Sequence, residues 1–147
     1  MTCSLSSYRE FEVLDLVRRR PVRLADVLPD YPLASRRAIA DDFPPLPRPE
    51  RPEREVHFMV RQSDLDMNRH VNNAVYVGWA LDSAPDEVAE ARRPVDIEVG
   101  YRAEALAGDT VLTRCAPEAG AGPGRFLHEI VREIAGKDLT RLRVTWA

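Results

Sequence analysis

Residues 72–85, NNAVYVGWALDSAP, have the pattern of a helix that is apolar on almost every side. Ala74, Val75, Tyr76, Val77, Trp79, Ala80, Leu81 and Ala84 leave little of the circumference for a solvated face, so the rest of the chain must cover it. Asn72 or Asn73 can cap its start by accepting from the unpaired backbone donors there. Pro85 marks its end, and PDEVAEARR allows a short second helix with Pro85 in the first turn.

The cover has to come from strands. REVHFMVRQ alternates, with Val56, Phe58 and Val60 on one face and His57, Met59 and Arg61 on the other. After the helix, PVDIEVGYRA puts Val95, Ile97, Val99 and Tyr101 on one face. AGD at 107–109 is a turn, TVLTRCA a strand, EAGAGPG a loop and RFLHEIVREI a strand. AGKD is a hairpin turn before LTRLRVTW, whose Leu142, Val144 and Trp146 point inward. One strand, one buried helix and four strands predict an α+β hotdog fold, a curled antiparallel sheet wrapped around the helix. The open sheet edges of such a fold predict a homodimer.

The first 53 residues differ in character. A strand-like stretch, Phe11 to Val17, precedes the basic cluster Arg18 to Arg20, and prolines 44, 45, 47, 49 and 52 follow. Proline removes backbone donors and favours extended chain, so residues 1–53 read as an extension with a proline-rich linker and residues 54–147 as the domain. A net charge of −3 argues against nucleic-acid binding. Cys3 and Cys115 form neither a disulfide framework nor a metal spacing, and no apolar run approaches a membrane span. The chain is therefore expected to be soluble and cytoplasmic, with no metal and no cofactor. Arginines 18–20, 36, 37, 92 and 93 could form a basic face for an acidic protein partner, although a solvated arginine-rich surface is the simpler reading.

Polar residues crowd in front of the helix. SDLDMNRHVNNAVYVGW places Asp64, Asp66, Asn68, His70, Asn72 and Asn73 within ten residues. RQSDLDMNRHVNNAVYVGWALDSAP, with its D-x-N-x-H-V-N-N core, resembles the catalytic C-terminal hotdog of acyl-acyl carrier protein thioesterases. The likeness continues more weakly through VDIEVGYRAEALAGDTVL. FEVLDLVRRRPVRL resembles the last strand of that family's first hotdog and the linker after it, so the resemblance implies one hotdog where the family has two. It also implies that Asp66, Asn68, His70 and Glu104 form the catalytic set. Where plant-type members often carry a cysteine after that glutamate, this chain has Ala105, which excludes a cysteine nucleophile there.

Thioester hydrolysis needs an activated water or a carboxylate nucleophile, together with donors for the oxyanion. Either Glu104 or Asp66 could supply the carboxylate. Asn68 and His70 would orient the water, the carboxylate or the thioester, and backbone donors near Asn72 and Asn73 would polarise the carbonyl. Tyr76 and Trp79 would line the acyl site or the core, and Asp64 reads as structural. Tyr101 and Ala103 share a face by alternation, so Glu104 reaches the site only if the strand breaks between Arg102 and Ala105. The substrate would be an acyl thioester of acyl carrier protein. An acyl-CoA thioesterase and a non-catalytic acyl-binding or partner hotdog are the alternatives.

Overall fold

Period-two patterning after residue 54 becomes one antiparallel sheet in the computed structural model, which describes residues 13–15, 17, 20–22, 26 and 44–147. Cys3 and arginines 18, 19, 36 and 37 lie outside the described residues. The chain divides into two units, one of residues 3–44 and one that contains residues 45–147. In the first, β1 (Val13–Asp15) pairs antiparallel with β2 (Arg20–Val22), and the Asp15 carboxylate accepts from the Val17 N–H at 2.9 Å.

The second unit contains β3 (Arg54–Met59), α1 (Asn73–Asp82), α2 (Asp86–Ala91), β4 (Pro94–Tyr101), β5 (Thr110–Pro117), β6 (Arg125–Arg132) and β7 (Lys137–Trp146). Its five strands run in the order β3-β5-β6-β7-β4, all neighbours antiparallel, which leaves β3 and β4 as edges. The sheet curls around α1 as the hotdog fold requires. Pro85 is the N-cap of α2, one position before its first turn. Gly124 needs its φ of +97°, and a Cβ there would lie 2.6 Å from the Trp146 carbonyl oxygen, so the turn into β6 admits only glycine.

Alternation puts one side of every strand under the helix. Tyr76, Trp79 and Ala80 of α1 pack on Val111, Ile130, Leu139 and Leu142. Beyond the helix end, Ala84 packs with Cys115, Phe126, Val144 and Trp146. The Trp79 ring stacks on Phe58 at 5.8 Å and meets Tyr76 edge-on at 5.3 Å. Each large apolar side chain so buried contributes about 1.5–3 kcal/mol.

The opposite face carries a charged row among apolar side chains. Glu55, Arg114, Glu129 and Arg141 share one cross-strand row. Arg114 donates to Glu55 at 2.8 Å and to Glu129 at 3.4 Å, and Arg48 reaches Glu129 at 3.0 Å. The proline-rich stretch forms no strand, yet Leu46 is buried and its carbonyl accepts from Arg141 at 2.8 Å. Those contacts tie the chain to β6 and β7 upstream of Arg54, so the compact unit begins at Pro45.

Coverage of α1 is less complete than its composition predicts. Ala74 is exposed and Val75, Val77 and Leu81 are only half-buried, because a single sheet covers a single side.

Candidate functional site

The polar loop is folded by its own side chains. The Asp64 carboxylate accepts from the Arg61 N–H at 2.7 Å, and the Asp64 carbonyl accepts from the Asn72 N–H at 2.8 Å. Asp66 Oδ1 accepts from the N–H groups of Asn68 (2.8 Å) and His70 (3.2 Å), while the Asp66 N–H donates to the His70 carbonyl at 2.8 Å. Arg69 takes a φ of +64°, which costs a non-glycine residue about 1–2 kcal/mol and closes the turn that presents His70. The loop ends on the Asn72 cap, whose side chain accepts from the Ala74 N–H at 2.9 Å.

Opposite this loop, β4 breaks off after Tyr101. Arg102 and Ala103 both donate to the Leu139 carbonyl, at 2.8 and 3.1 Å, so the ladder loses its register there. The irregularity expected between Arg102 and Ala105 is present. It turns Glu104 towards the loop, with Glu104 Oε1 3.4 Å from His70 Nδ1. Both side chains remain accessible, His70 at 44% and Glu104 at 63%.

An open groove of about 850 Å³ runs between the two segments. Asp66, His70, Asn73, Tyr76 and Glu104 all line it. So do Tyr101, Leu106 and three cations, Arg102, Arg132 and Lys137. Tyr101 donates its hydroxyl to the Asn73 carbonyl at 3.1 Å. The Asn73 N–H, at the first turn of α1, donates to no described residue, so it is available to a ligand.

Three other site candidates lie elsewhere. Asn68 is exposed and outside the groove lining, Asn72 is occupied as the helix cap, and Trp79 is buried in the core. Arg132 was not apparent as a groove residue from its local sequence. Its alternation with Ile130, His128 and Phe126 does place it on the helix-facing side of β6, and that was the available signal.

A second polar cluster sits at the far end of α1. Ser83 Oγ lies 3.1 Å from His128 Nδ1, and Cys115 Sγ lies 4.0 Å from His128 Nε2. All three residues are buried, and burial pulls the His128 pKa down to about 4 and pushes the Cys115 thiol up to about 12. Among the described residues no group of three or more His, Cys, Asp or Glu could hold a metal ion, and no helix is long and apolar enough to cross a membrane.

Comparison with known proteins locates these features within a family. A family model described as the acyl-ACP thioesterase C-terminal domain matches residues 48–147. Over 105 residues the chain is 32% identical to the chloroplastic oleoyl-acyl carrier protein thioesterase 1 of Arabidopsis thaliana, a match covering 62% of this chain and 29% of the relative. It is 37% identical over 89 residues to a chloroplastic acyl-[acyl-carrier-protein] hydrolase of Cuphea viscosissima, covering 58% of this chain and 21% of that one. Among solved structures, an acyl-ACP thioesterase from Bacteroides thetaiotaomicron superposes with a TM-score of 0.64 at 23% identity, over 91% of this chain and 53% of its own. A Thermus thermophilus thioesterase complexed with coenzyme A and zinc superposes with a TM-score of 0.57 at 25% identity, over 65% of this chain and 83% of its own. The chain thus spans less than a third of the two plant relatives and about half of the Bacteroides protein.

Proposed function

Since the chain belongs to the acyl-ACP thioesterase family through that C-terminal domain, we propose that it hydrolyses acyl thioesters, with acyl-acyl carrier protein as the substrate and free fatty acid and carrier as products. The observation that carries this reading is the convergence of Glu104 and His70 at the mouth of a groove that also receives the start of α1.

The two carboxylates have different surroundings. Asp66 Oδ1 is committed to two backbone N–H groups and so shapes the loop. The Glu104 side chain faces His70 and is otherwise accessible, which suits a general base that takes a proton from the attacking water. His70 keeps Nε2 without a partner among the described residues and would orient that water or the thioester. The Asn73 N–H, which donates to no described residue and stands at a helix N-terminus, would stabilise the oxyanion. Departure of a thiolate needs little protonation, so no further acid is required. Arg102 and Lys137 suit the phosphate-bearing arm common to acyl carrier protein and CoA.

A homodimer fits the half-covered face of α1, because a second hotdog would bury Val75 and Val77. Light scattering on the eluting protein tests it, and a monomer at all concentrations removes it. For the activity, purified protein is offered acyl-acyl carrier protein and acyl-CoA thioesters alongside Glu104→Gln and His70→Ala. Turnover abolished in both variants supports the mechanism, and faster turnover of CoA esters moves the substrate to the CoA class. Folded protein that turns over neither ester, yet binds them, is the non-catalytic hotdog.

A further inference from the structure

Glu104 stands on a segment that belongs to no strand, yet it must hold one orientation to meet His70. The peptide unit between Glu104 and Ala105 is held at both ends. Its carbonyl, on Glu104, accepts from Arg132 Nη2 at 2.8 Å. Its N–H, on Ala105, donates to the Tyr76 hydroxyl at 2.8 Å. The two anchors come from opposite sides, Arg132 from the end of β6 and Tyr76 from the first turns of α1.

Each anchor is itself fixed. Arg132 Nε donates to Asp109 Oδ2 at 2.8 Å, and the same oxygen accepts from the Leu106 N–H at 2.9 Å, which closes a ring through the turn that follows Glu104. Tyr76 is buried, held edge-on by Trp79 at 5.3 Å and Tyr101 at 5.9 Å. Ala105 is fully buried and its carbonyl accepts from the Val71 N–H at 3.4 Å, which links the Glu104 segment to the residue following His70. Rotation of the 104–105 peptide plane would break two hydrogen bonds at once and leave a buried N–H unpaired, a cost of about 1–3 kcal/mol for that donor.

We infer that Tyr76 and Arg132 are positioning residues that clamp the Glu104–Ala105 peptide and thereby aim the Glu104 carboxylate at His70 in the groove. The inference rests on the thioesterase reading for its kinetic consequence, while its geometric consequence stands apart from turnover. Arg132 is suited to the task because one planar guanidinium serves two acceptors, the Asp109 carboxylate and the Glu104 carbonyl. A lysine has a single nitrogen and would serve one of them well. Tyr76 acts through its hydroxyl alone, since phenylalanine would keep the ring contacts.

The test uses the full chain with Tyr76→Phe, Arg132→Lys, Glu104→Gln and the two double variants that add Glu104→Gln. Thermal melting first establishes that each is folded. Amide hydrogen exchange then reads the clamp without any substrate: the Ala105 N–H is expected to exchange at least about tenfold faster in Tyr76→Phe than in the parent. In kinetics on an acyl thioester, kcat is expected to fall about 10- to 100-fold in Tyr76→Phe and in Arg132→Lys with KM little changed, as misorientation of a reacting group does. Adding Glu104→Gln to either variant should then cost far less than it costs the parent, since a misdirected carboxylate has little left to lose. Folded variants with parental kcat, or losses that multiply independently of Glu104→Gln, overturn the inference. If the parent itself is silent, the hydrolase reading fails, and unchanged Ala105 exchange in Tyr76→Phe overturns the clamp separately.

Discussion

The two ends of α1 each carry a histidine with polar partners, and they are built for different ends. At the N-terminal end His70 stands 3.4 Å from a carboxylate in an open groove. At the C-terminal end His128 meets Ser83 at 3.1 Å and Cys115 at 4.0 Å, a trio that on residue types alone would suit nucleophilic catalysis. It has no access to solvent, and burial pushes its thiol up to about 12, which disfavours the thiolate that a nucleophile needs. Access and charge, rather than residue identity, separate a site from a core network.

The largest expected effect breaks the comparison on activity. His70→Ala and Glu104→Ala should each lower kcat by at least about 100-fold on the preferred thioester. Because both side chains are accessible, their melting midpoints should stay within about 3 °C of the parent. His128→Ala should do the reverse where it folds, losing about 2–4 kcal/mol in denaturant titration through the cavity left by the imidazole, since the Ser83 hydroxyl keeps its bond to the Ala80 carbonyl. A kcat loss from His128→Ala larger than that from His70→Ala, in folded protein, would invert the assignment of the two ends.

A second contrast is in pH. Burial lowers the His128 pKa from 6.5 to about 4, so between those values the unfolded chain binds the extra proton and the folded one does not. The stability due to the neutral imidazole is therefore whole above pH 6.5 and is lost as pH falls towards 4, by about 3 kcal/mol in all. Denaturant titrations of the parent and of His128→Gln, compared across that range, isolate this part from the carboxylates that also titrate. Equal slopes for the two proteins would contradict a sealed, neutral His128.

Ser83→Ala gives a smaller effect at the same end. It leaves His128 Nδ1 buried without its partner and should cost about 1–2 kcal/mol, with kcat unchanged per folded molecule.

What the sequence discloses follows the range over which its signals act. The period-two runs in REVHFMVRQ and PVDIEVGYRA, and the apolar helix behind an Asn, are local patterns, and strands and helix appear where those patterns fall. By alternation Glu104 reads as a solvated glutamate, and only the likeness to a family marks it for the site. The break after Tyr101 that frees it depends on the Leu139 carbonyl, on a strand distant in sequence. The same holds for the Tyr76 hydroxyl under Ala105, for Arg132 under Glu104 and for Ser83 against His128, which are separated by 29, 28 and 45 residues. Such pairings are set by sheet register, which no short window of sequence displays. Incomplete cover of α1 was hidden for another reason, since composition tells how much surface must be buried but not which chain buries it.

The smallest predicted effect tests how the groove end divides its labour. Asn72 and Asn73 are adjacent and chemically identical, and the sequence offers both to the substrate. In the structure Asn72 spends its side chain on the Ala74 N–H and its own N–H on Asp64, so it is a cap. Asn73 lines the groove, and its N–H donates to no described residue. Asn72→Ala should therefore cost about 1 kcal/mol of stability, as loss of an N-cap does, while kcat at saturating thioester changes by no more than about threefold. Asn73→Pro would remove the proposed oxyanion donor itself, at a first-turn position where proline is tolerated, and should cost kcat about 100-fold or more. A large kcat loss for Asn72→Ala, with Asn73→Pro near normal, would shift the oxyanion contact from the backbone of the helix start to the side chain that caps it.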